Sequence, residues 1–513
     1  MKKGSLKYIF SFIAFLLIGG SLSLILGQDA NWDLLNYHLY NPYAFLSGRV
    51  GSDFLAAGIQ SYFSPFLDIP FYLLISHFNN YPHAVVFIQG IYFGILCFLI
   101  FILSLEFFLK TINFTPSSRL FLSALSTIIG GGGFATFSEI GTTFNDIQTG
   151  CLVIFAIYLY IKHGICQNTC NIEMAVGLLL GIACGLKLTS AIYAVSFLMG
   201  IAIFHRHDKF FKKSFYYAIF LGIGFVVSYG YWGCVLYSLY GNPFFPFFNN
   251  IFKSKFFPTI SFVDARFFPK TFLQSICYPF FWSGAHGLSS TVAELKFTDP
   301  RFFIVYLIVI VLFLKFLLKY FSKVRQPVEK ADPFDFILLV WIFSYIIFQV
   351  KFSIIRYAIP LENLSGLIII YTLVRFLKDK QHLAIYLSIV ITVSIIILTK
   401  IPSWGRLPIG NVFYSISKIN IPDDAIFSTL TPPCAFIVTG LGLKNKVINF
   451  NYLDKNELKY SEVVILANIG TSDVGTKTTL SKYKIDFNKH CQKIENSLSG
   501  NIFVCFHHPY SEE

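Results

Sequence analysis

Charged residues are scarce in this 513-residue chain, at 13% of the sequence, against about 25% in soluble globular domains. Hydrophobic residues make up 55% of it. So few charges exclude a soluble protein of this length and indicate a chain that crosses a membrane several times. The net charge of +13 does not call for nucleic acid, because much of the excess lies in short loops where it would meet anionic lipid headgroups.

A small-residue cleavage site is missing after the first apolar run, residues 8–26, so we expect this run to remain as the first membrane span, with the N-terminus in the cytoplasm. Further long apolar runs bring the prediction to about eleven spans. These runs cover residues 83–108, 120–137, 146–161, 172–187, 189–204, 214–239, 301–318, 334–350, 354–374 and 382–400.

Basic residues mark alternate loops, which places those loops in the cytoplasm. The basic loops are those at 110–119, 162, 205–213, 319–326 and 375–380. The remaining loops then face outward: 27–82, 138–146, 185–190, 241–300, 351–356 and everything after about residue 401. Segment 64–78 is short and interrupted by Asp68 and Pro70, so it is predicted to lie at the membrane interface and not to span.

Polar residues return after residue 401, which predicts two domains: a membrane domain over 1–400 and an extracytoplasmic α/β domain over 401–513. Buried strands are predicted for the short apolar runs at 435–440, 446–450, 462–468 and 501–506.

Metal-binding cysteine patterns are also missing. Cys166 and Cys170 have no histidines at a recognisable spacing, which argues against a zinc site. Cys434, Cys491 and Cys505 lie in the region predicted to be exported, where a disulfide is compatible with the surroundings. We favour pairing of Cys491 with Cys505.

The first outer loop gathers polar residues where the chain leaves its first span. Asn31 is a candidate N-cap and Pro42 disfavours helix at Asn41, so a short helix is predicted over 32–40. Its residues at positions i, i+3, i+4 and i+7, which share one helix face, are Asp33, Asn36, Tyr37 and Tyr40. The exposed N–H groups of the first turn favour an ionised Asp33, which suits a base or a metal ligand.

Here the sequence resembles the polytopic glycosyltransferases of the GT-C fold, which include protein O-mannosyltransferases and the aminoarabinose transferases of lipid A. That family carries an acid in its first outer loop, in a pattern similar to Asp-Glu-x-x-Tyr followed by an Ala and a Gly. The residues that match loosely are Asp33, Tyr37, Ala44 and Gly48. Leu34 stands where the second acid would be, so a paired-carboxylate metal site is doubtful and Asp29 is the nearest other carboxylate.

Three other stretches resemble the same family in order and sidedness. "FNDIQTG" (144–150) resembles its Asp at the outer start of a span, and "GLKLTS" (185–190) resembles its Lys-x-Thr element. "IRYAIPLEN" (355–363) resembles its segment near the lipid-phosphate site.

The resemblance implies an all-α polytopic membrane protein that transfers a sugar, with inversion, from a polyprenyl-phosphate donor to a glycan, lipid or protein acceptor. The reaction would take place at the extracytoplasmic face of a bacterial inner (cell) membrane, with membrane lipids as further partners and no nucleic acid. No cofactor is required, and a divalent cation is left open. Asp33 would be the catalytic base, while Arg356 and Lys187 would hold the leaving phosphate.

Eight further residues in or beside the same predicted outer loops are candidates for substrate binding. They are Asp29, Asn36, Tyr37, Tyr40, Arg49, Glu139, Asp146 and Tyr357. In the aromatic and basic loop 241–300, Asp264, Glu294 and Asp299 are outside candidates for acceptor contacts.

Each candidate also has an ordinary structural interpretation. Asp33, Glu139 and Asp146 could cap or solvate helix ends, and Arg356 and Lys187 could be interfacial cations that reach toward headgroups. A polymerase or ligase of lipid-linked glycans remains an alternative function. A lipid or glycan transporter is disfavoured, because the polar residues collect at one membrane face instead of at the midplane of the spans.

Overall fold

The computed structural model describes residues 3–165, 170–205, 210–260, 262–283, 292–321, 332–377, 380–423, 425–453, 463–470 and 473–506. Within these ranges the membrane region consists mainly of helices. In chain order they are α1 (Lys3–Leu26), α2 (Tyr40–Leu46), α3 (Ile69–Phe78), α4 (Pro82–Thr111), α5 (Pro116–Gly131), α6 (Phe134–Ser138), α7 (Asp146–Leu159), α8 (Asn171–Leu186), α9 (Ala191–Phe204), α10 (Phe210–Tyr240), α11 (Asn249–Phe252), α12 (Phe272–Trp282), α13 (Arg301–Phe321), α14 (Pro333–Lys351), α15 (Ile359–Leu377) and α16 (Gln381–Leu398).

The protein is an integral membrane protein whose described residues include eight helices long and apolar enough to cross a bilayer. These are α1, α4, α10, α13, α14 and α16, together with α7 continued by the π-helix Tyr160–Gly164 and α15 preceded by the 3-10 turn Ile355–Ala358. The other three predicted spans are also helical, as α5, α8 and α9, but have only 16, 16 and 14 residues. At about 1.5 Å per residue they are shorter than the hydrocarbon thickness of roughly 30 Å.

Small residues allow the helices to approach closely, as the contact between α8 and α10 illustrates. Gly177 and Gly181 recur at the four-residue spacing that lines one helix face, and a Cβ atom at either would collide with the backbone of α10. Because lipid tails are as apolar as the helix surfaces, the hydrophobic effect does little to bring helices together in a membrane. Close backbone contact strengthens the van der Waals packing that does.

The loops separate into two groups at opposite ends of the helix bundle, as the alternation of basic loops predicts. At one end, the Thr143 amide donates to Asp29 (2.9 Å) and Lys187 contacts Asp146 (2.6 Å). At the other end, Lys110 donates to the Ile161 carbonyl (2.8 Å). Residues 206–209 of the predicted 205–213 loop, and Cys166, lie outside the described residues.

Segment 64–78 forms only the ten-residue helix α3, about 15 Å long, which agrees with the expectation that it does not span.

The C-terminal region contains a five-stranded sheet, and the loop over 27–82, called the first outer loop after its predicted side, contributes the separate strand β1 (Ala56–Ile59). The sheet strands are β2 (Ile426–Thr431), β3 (Val447–Asn449), β4 (Val463–Asn468), β5 (Cys491–Lys493) and β6 (Ile502–Phe506), in spatial order β3-β2-β4-β6-β5. Strand β2 is parallel to β3 and β4, whereas β6 is antiparallel to β4 and β5.

Three of the four predicted strands are confirmed, and the strand predicted at 435–440 is wrong. That run forms the helix α17 (Phe436–Leu441), whose Phe436, Ile437 and Val438 are all buried. A short run that is apolar on every side suits a buried helical turn as well as a strand, so periodicity could not separate the two. The predicted disulfide between Cys491 and Cys505 is present, joining β5 to β6.

The first outer loop and the C-terminal region share one hydrophobic core. Leu34 and Leu39 of the loop pack in the same buried cluster as Phe427 and Phe436 of the C-terminal region. The Phe54 amide donates to the Val447 carbonyl (2.8 Å), which aligns the loop with the edge strand β3. The C-terminal region is therefore seated on the loop that carries Asp33.

Candidate active site at one end of the bundle

The polar stretch after the first span does not form the single α-helix predicted over 32–40. Asn31 Oδ1 accepts a hydrogen bond from the Leu34 amide (2.8 Å), which confirms its capping role. A π-helix follows over Leu34–His38, and α2 then begins at Tyr40 and includes Pro42. Proline is tolerated in the first turn of a helix, so Pro42 helps to start α2 instead of ending a helix before it.

Arg356 lies at the centre of a cluster of carboxylates. Its Nε is 3.0 Å from Glu294 Oε2, and its Nη1 is 3.3 Å from Asp33 Oδ2. The same Nη1 is 3.9 Å from Asp146 Oδ2, and the Arg356 side chain is only 8% exposed. A buried guanidinium is stabilised by this surrounding negative charge, because an unpaired charge would be costly in such a place.

Lys187 adds a second cation to this cluster. Its Nζ is 2.6 Å from Asp146 Oδ1 and donates to the Phe144 carbonyl at 2.8 Å. It also lies 5.3 Å from the centre of the Tyr357 ring. The Tyr37 hydroxyl completes the cluster by donating to Asp33 Oδ2 at 3.1 Å. Four segments of the chain therefore meet at Arg356, and they bring together the candidates Asp33, Tyr37, Asp146, Lys187 and Tyr357.

Local backbone features place these side chains. Asn145 has a left-handed conformation, with φ of 67°, which asparagine tolerates better than most residues, and it precedes α7 so that Asp146 stands in the first helical turn. Arg356 lies in a 3-10 turn, Ile355–Ala358, directly before α15. The Phe144 ring lies 4.1 Å from the Arg356 guanidinium, a contact that favours a cation over an aromatic face.

Glu139 lies in the loop after α6 and belongs to the same electrostatic environment. It is 2% exposed, and its Oε1 has no hydrogen-bond partner within the described chain. Burial raises the pKa of Glu139 well above its ordinary value, and the nearby Asp146 raises it further, while Arg356 and Lys187 lower it. The balance favours the protonated acid.

Four other candidates are held elsewhere by structural contacts. The expectation that Asn36 and Tyr40 share a face with Asp33 is wrong, because the wider turn of the π-helix changes the angular spacing. Asn36 donates to the Ala57 carbonyl (3.1 Å), and Tyr40 donates to Asp53 (2.8 Å).

Arg49 and Asp29 also serve as connections between segments. Arg49 Nε is 2.8 Å from Asp53, and Nη1 donates to the Leu443 carbonyl (2.8 Å) in the C-terminal region. Asp29 accepts from both the amide and the hydroxyl of Thr143, each at 2.9 Å. Neither residue is brought to the Arg356 cluster.

The overall architecture is similar to a solved membrane protein, although no family model and no curated protein sequence matches the chain. The crystal structure of ArnT from Cupriavidus metallidurans bound to undecaprenyl phosphate aligns with a TM-score of 0.51 at 11% identity, covering 98% of each chain. The apo form of that protein aligns with a TM-score of 0.47 at the same identity, covering 99% of each chain. The chain has a GT-C glycosyltransferase-like fold.

Within this GT-C-like fold, Glu294 belongs to the Arg356 cluster, although the sequence did not predict this. It was an outside candidate for acceptor contacts, and the structure instead pairs it with Arg356. Its position as an acid in the basic and aromatic loop 241–300 was the available signal. Asp264 and Asp299 are paired with other arginines, Arg266 at 2.7 Å and Arg301 at 2.9 Å.

The cluster is not arranged as a metal site. In the part of the chain that the structure describes, no three His, Cys, Asp or Glu side chains converge as metal ligands. Asp33, Asp146 and Glu294 each face a guanidinium or ammonium group, so a divalent cation would have to displace Arg356 or Lys187.

Proposed function

We propose that this protein is a membrane glycosyltransferase that moves a sugar from a polyprenyl-phosphate donor to an acceptor hydroxyl, with inversion, at the extracytoplasmic face. The observation that carries the proposal is the convergence of Arg356, Lys187 and Asp33 at one end of a GT-C-like bundle. A structural neighbour of the same fold bound to undecaprenyl phosphate supports a lipid-linked donor.

Arg356 and Lys187 supply the positive charge that a donor phosphate needs. The guanidinium has five N–H donors, and the contact of its Nε with Glu294 holds its orientation while Nη1 faces the cluster. A phosphate oxygen can replace Asp33 at Nη1, where the present separation is 3.3 Å. Donor binding would then release the Asp33 carboxylate from its cation, so that it becomes available as a base only when the donor is in place.

The reaction is a single displacement at the anomeric carbon. The acceptor oxygen attacks that carbon while Asp33 accepts the hydroxyl proton, and the bond from the carbon to the phosphate oxygen breaks. The electron pair of that bond leaves with the polyprenyl phosphate, whose developing charge is stabilised by Arg356 and Lys187. One displacement inverts the anomeric configuration.

The test compares Asp33→Asn with Arg356→Lys in proteoliposomes that contain the full chain. Asp33→Asn should lower transfer by about 10²–10⁴ while undecaprenyl phosphate still binds, because only the base is lost. Arg356→Lys keeps the charge but loses the forked geometry, so it should weaken binding of undecaprenyl phosphate first. Asp486→Asn, which alters an exposed carboxylate in the C-terminal region, is the matched control and should change neither.

Transfer is measured with a panel of labelled polyprenyl-phosphate sugars and cell-envelope acceptors. Near-normal transfer by Asp33→Asn, together with its loss in Asp146→Asn, would move the role of base to Asp146. Transfer from an undecaprenyl-diphosphate oligosaccharide, without transfer from any polyprenyl-phosphate sugar, would favour a glycan polymerase or ligase.

A further inference from the structure

A cavity of about 160 Å³ lies apart from the Arg356 cluster, between the first outer loop and the C-terminal sheet. The loop contributes Trp32, Asn36 and Gln60 to its lining, and the C-terminal region contributes Thr429, Pro432 and Asn449. Trp32 and Asn36 lie on either side of Asp33 in the chain. The cavity therefore borders the segment that carries the proposed base.

The sheet places this cavity where α/β folds often bind ligands. Strands β2 and β3 are parallel, and Asn449 is the last residue of β3, while Pro432 directly follows β2. The carboxyl ends of parallel strands form a crevice at the sheet edge that is a common binding position.

The polar groups of the lining are neutral amides and a hydroxyl. None of the residues that line the cavity is charged, in contrast to the cations around Asp33. Among these amides, Gln60 and Asn449 are only partly buried, so a ligand in the cavity can reach their side chains. Burying an amide without a hydrogen-bond partner costs about 1–3 kcal/mol, so a ligand that covers these two side chains must offer hydroxyl groups to them.

Trp32 provides an apolar surface beside these polar groups. The Trp32 side chain is 43% exposed, whereas Asn31 and Leu34, close to it in the chain, are buried. An aromatic face packs well against the C–H groups on one side of a sugar ring, while amides and hydroxyls bind its oxygens. The volume is close to the roughly 150 Å³ cavity that holds a benzene ring, so the cavity admits no more than one sugar residue.

We propose that this cavity binds a neutral sugar ring of the acceptor, so that the C-terminal domain contributes directly to acceptor recognition. The inference rests on the proposed function, because it takes the acceptor to be a glycan or glycolipid. The uncharged lining excludes the donor phosphate as the occupant, and the phosphate remains with Arg356 and Lys187.

The test measures saccharide binding without catalysis. Saturation-transfer NMR on the full chain in lipid nanodiscs uses methyl gluco-, galacto- and mannopyranosides as neutral probes and glucose 1-phosphate as a charged probe. A neutral pyranoside should bind, and Gln60→Met, which keeps the side-chain size but removes the amide, should weaken its binding by about 2–10-fold through loss of one hydrogen bond. Trp32→Ala should weaken it as well. Gln492→Met is the matched control, since Gln492 lies on β5 and does not line the cavity.

The outcomes separate this inference from the proposed function. Binding of a pyranoside that is lost in Gln60→Met, without binding of undecaprenyl phosphate, would support the sugar cavity and count against the transferase. The inference is overturned by absence of binding for every neutral probe, by equal binding in Gln60→Met and wild type, or by preference for glucose 1-phosphate.

Discussion

At the scale of single residues, Glu139 is an acid whose ionisation the fold disfavours. Burial and the neighbouring Asp146 raise its pKa in the folded protein, whereas the unfolded value is about 4.3. Because the fold favours the protonated acid, this group costs stability as pH rises above the unfolded pKa, and the cost is complete above the folded pKa. Replacing Glu139 by glutamine keeps the shape of the side chain and removes its ionisable group.

We therefore expect Glu139→Gln to raise the thermal unfolding temperature at neutral pH and to leave it little changed near pH 4. The measurement is thermal unfolding of the purified full chain in detergent from pH 4 to 8. Asp486→Asn serves as the control, since Asp486 caps a short helix in an exposed part of the C-terminal region. A lower unfolding temperature for Glu139→Gln at pH 7 would mean that the ionised carboxylate stabilises the site.

The residues of the site were predictable from the sequence only in part. The structure brings together most of the predicted residues and the loops that carry them. These residues are Asp33, Tyr37, Asp146, Lys187, Arg356 and Tyr357. Asn36 and Tyr40 were misplaced because a helical period of 3.6 was applied to a stretch that forms a π-helix. Glu294 was not assigned to the cluster because no sequence pattern distinguishes it from Asp264 and Asp299, the other acids considered in the loop 241–300.

At the scale of elements, Arg49 connects the first outer loop to the C-terminal sheet. Its guanidinium binds Asp53 through two nitrogens, at 2.8 and 2.9 Å, and also donates to the carbonyls of Leu443 and Asn445. Asp53 in turn accepts from the Val447 amide (2.9 Å) at the start of β3. Removing the arginine leaves a buried carboxylate without its cation.

Arg49→Ala should therefore lower the free energy of unfolding by about 3–5 kcal/mol and loosen the C-terminal domain. Limited proteolysis and thermal unfolding of the full chain would measure both effects. Lys493→Ala is the control, because Lys493 lies 46% exposed at 3.7 Å from Glu495, and exposed pairs contribute little. Unchanged proteolysis in Arg49→Ala would show that the shared hydrophobic core alone holds the domain in place.

The elements themselves follow the sequence closely in the membrane and less closely outside it. Every long apolar run is helical, although the run at 120–137 is divided between α5 and α6, because an apolar run of that length in lipid must satisfy its own backbone hydrogen bonds. The C-terminal strands β2 and β5 were not predicted. Strand β2 has the sequence "IFSTLT", with three polar residues, and its strand conformation depends on pairing with β3 and β4 on both sides.

At the scale of the whole molecule, the two ends of the bundle differ in chemistry. One end carries the Arg356 cluster and the C-terminal region, and the other carries the basic loops, such as those with Lys110 and Lys162. The positive-inside rule assigns the basic end to the cytoplasm, so the cluster would face outward, where a disulfide such as Cys491–Cys505 persists.

Cysteine labelling of intact cells decides this orientation. We expect a membrane-impermeant maleimide to label Ser52→Cys, in the first outer loop, and to leave Lys212→Cys, at the start of α10, unlabelled until the cells are opened. Both positions are exposed, so access and not burial determines the result. The free cysteines are replaced beforehand, while Cys491 and Cys505 are kept. Labelling of Lys212→Cys in intact cells would reverse the orientation and require the donor to be used at the cytoplasmic face.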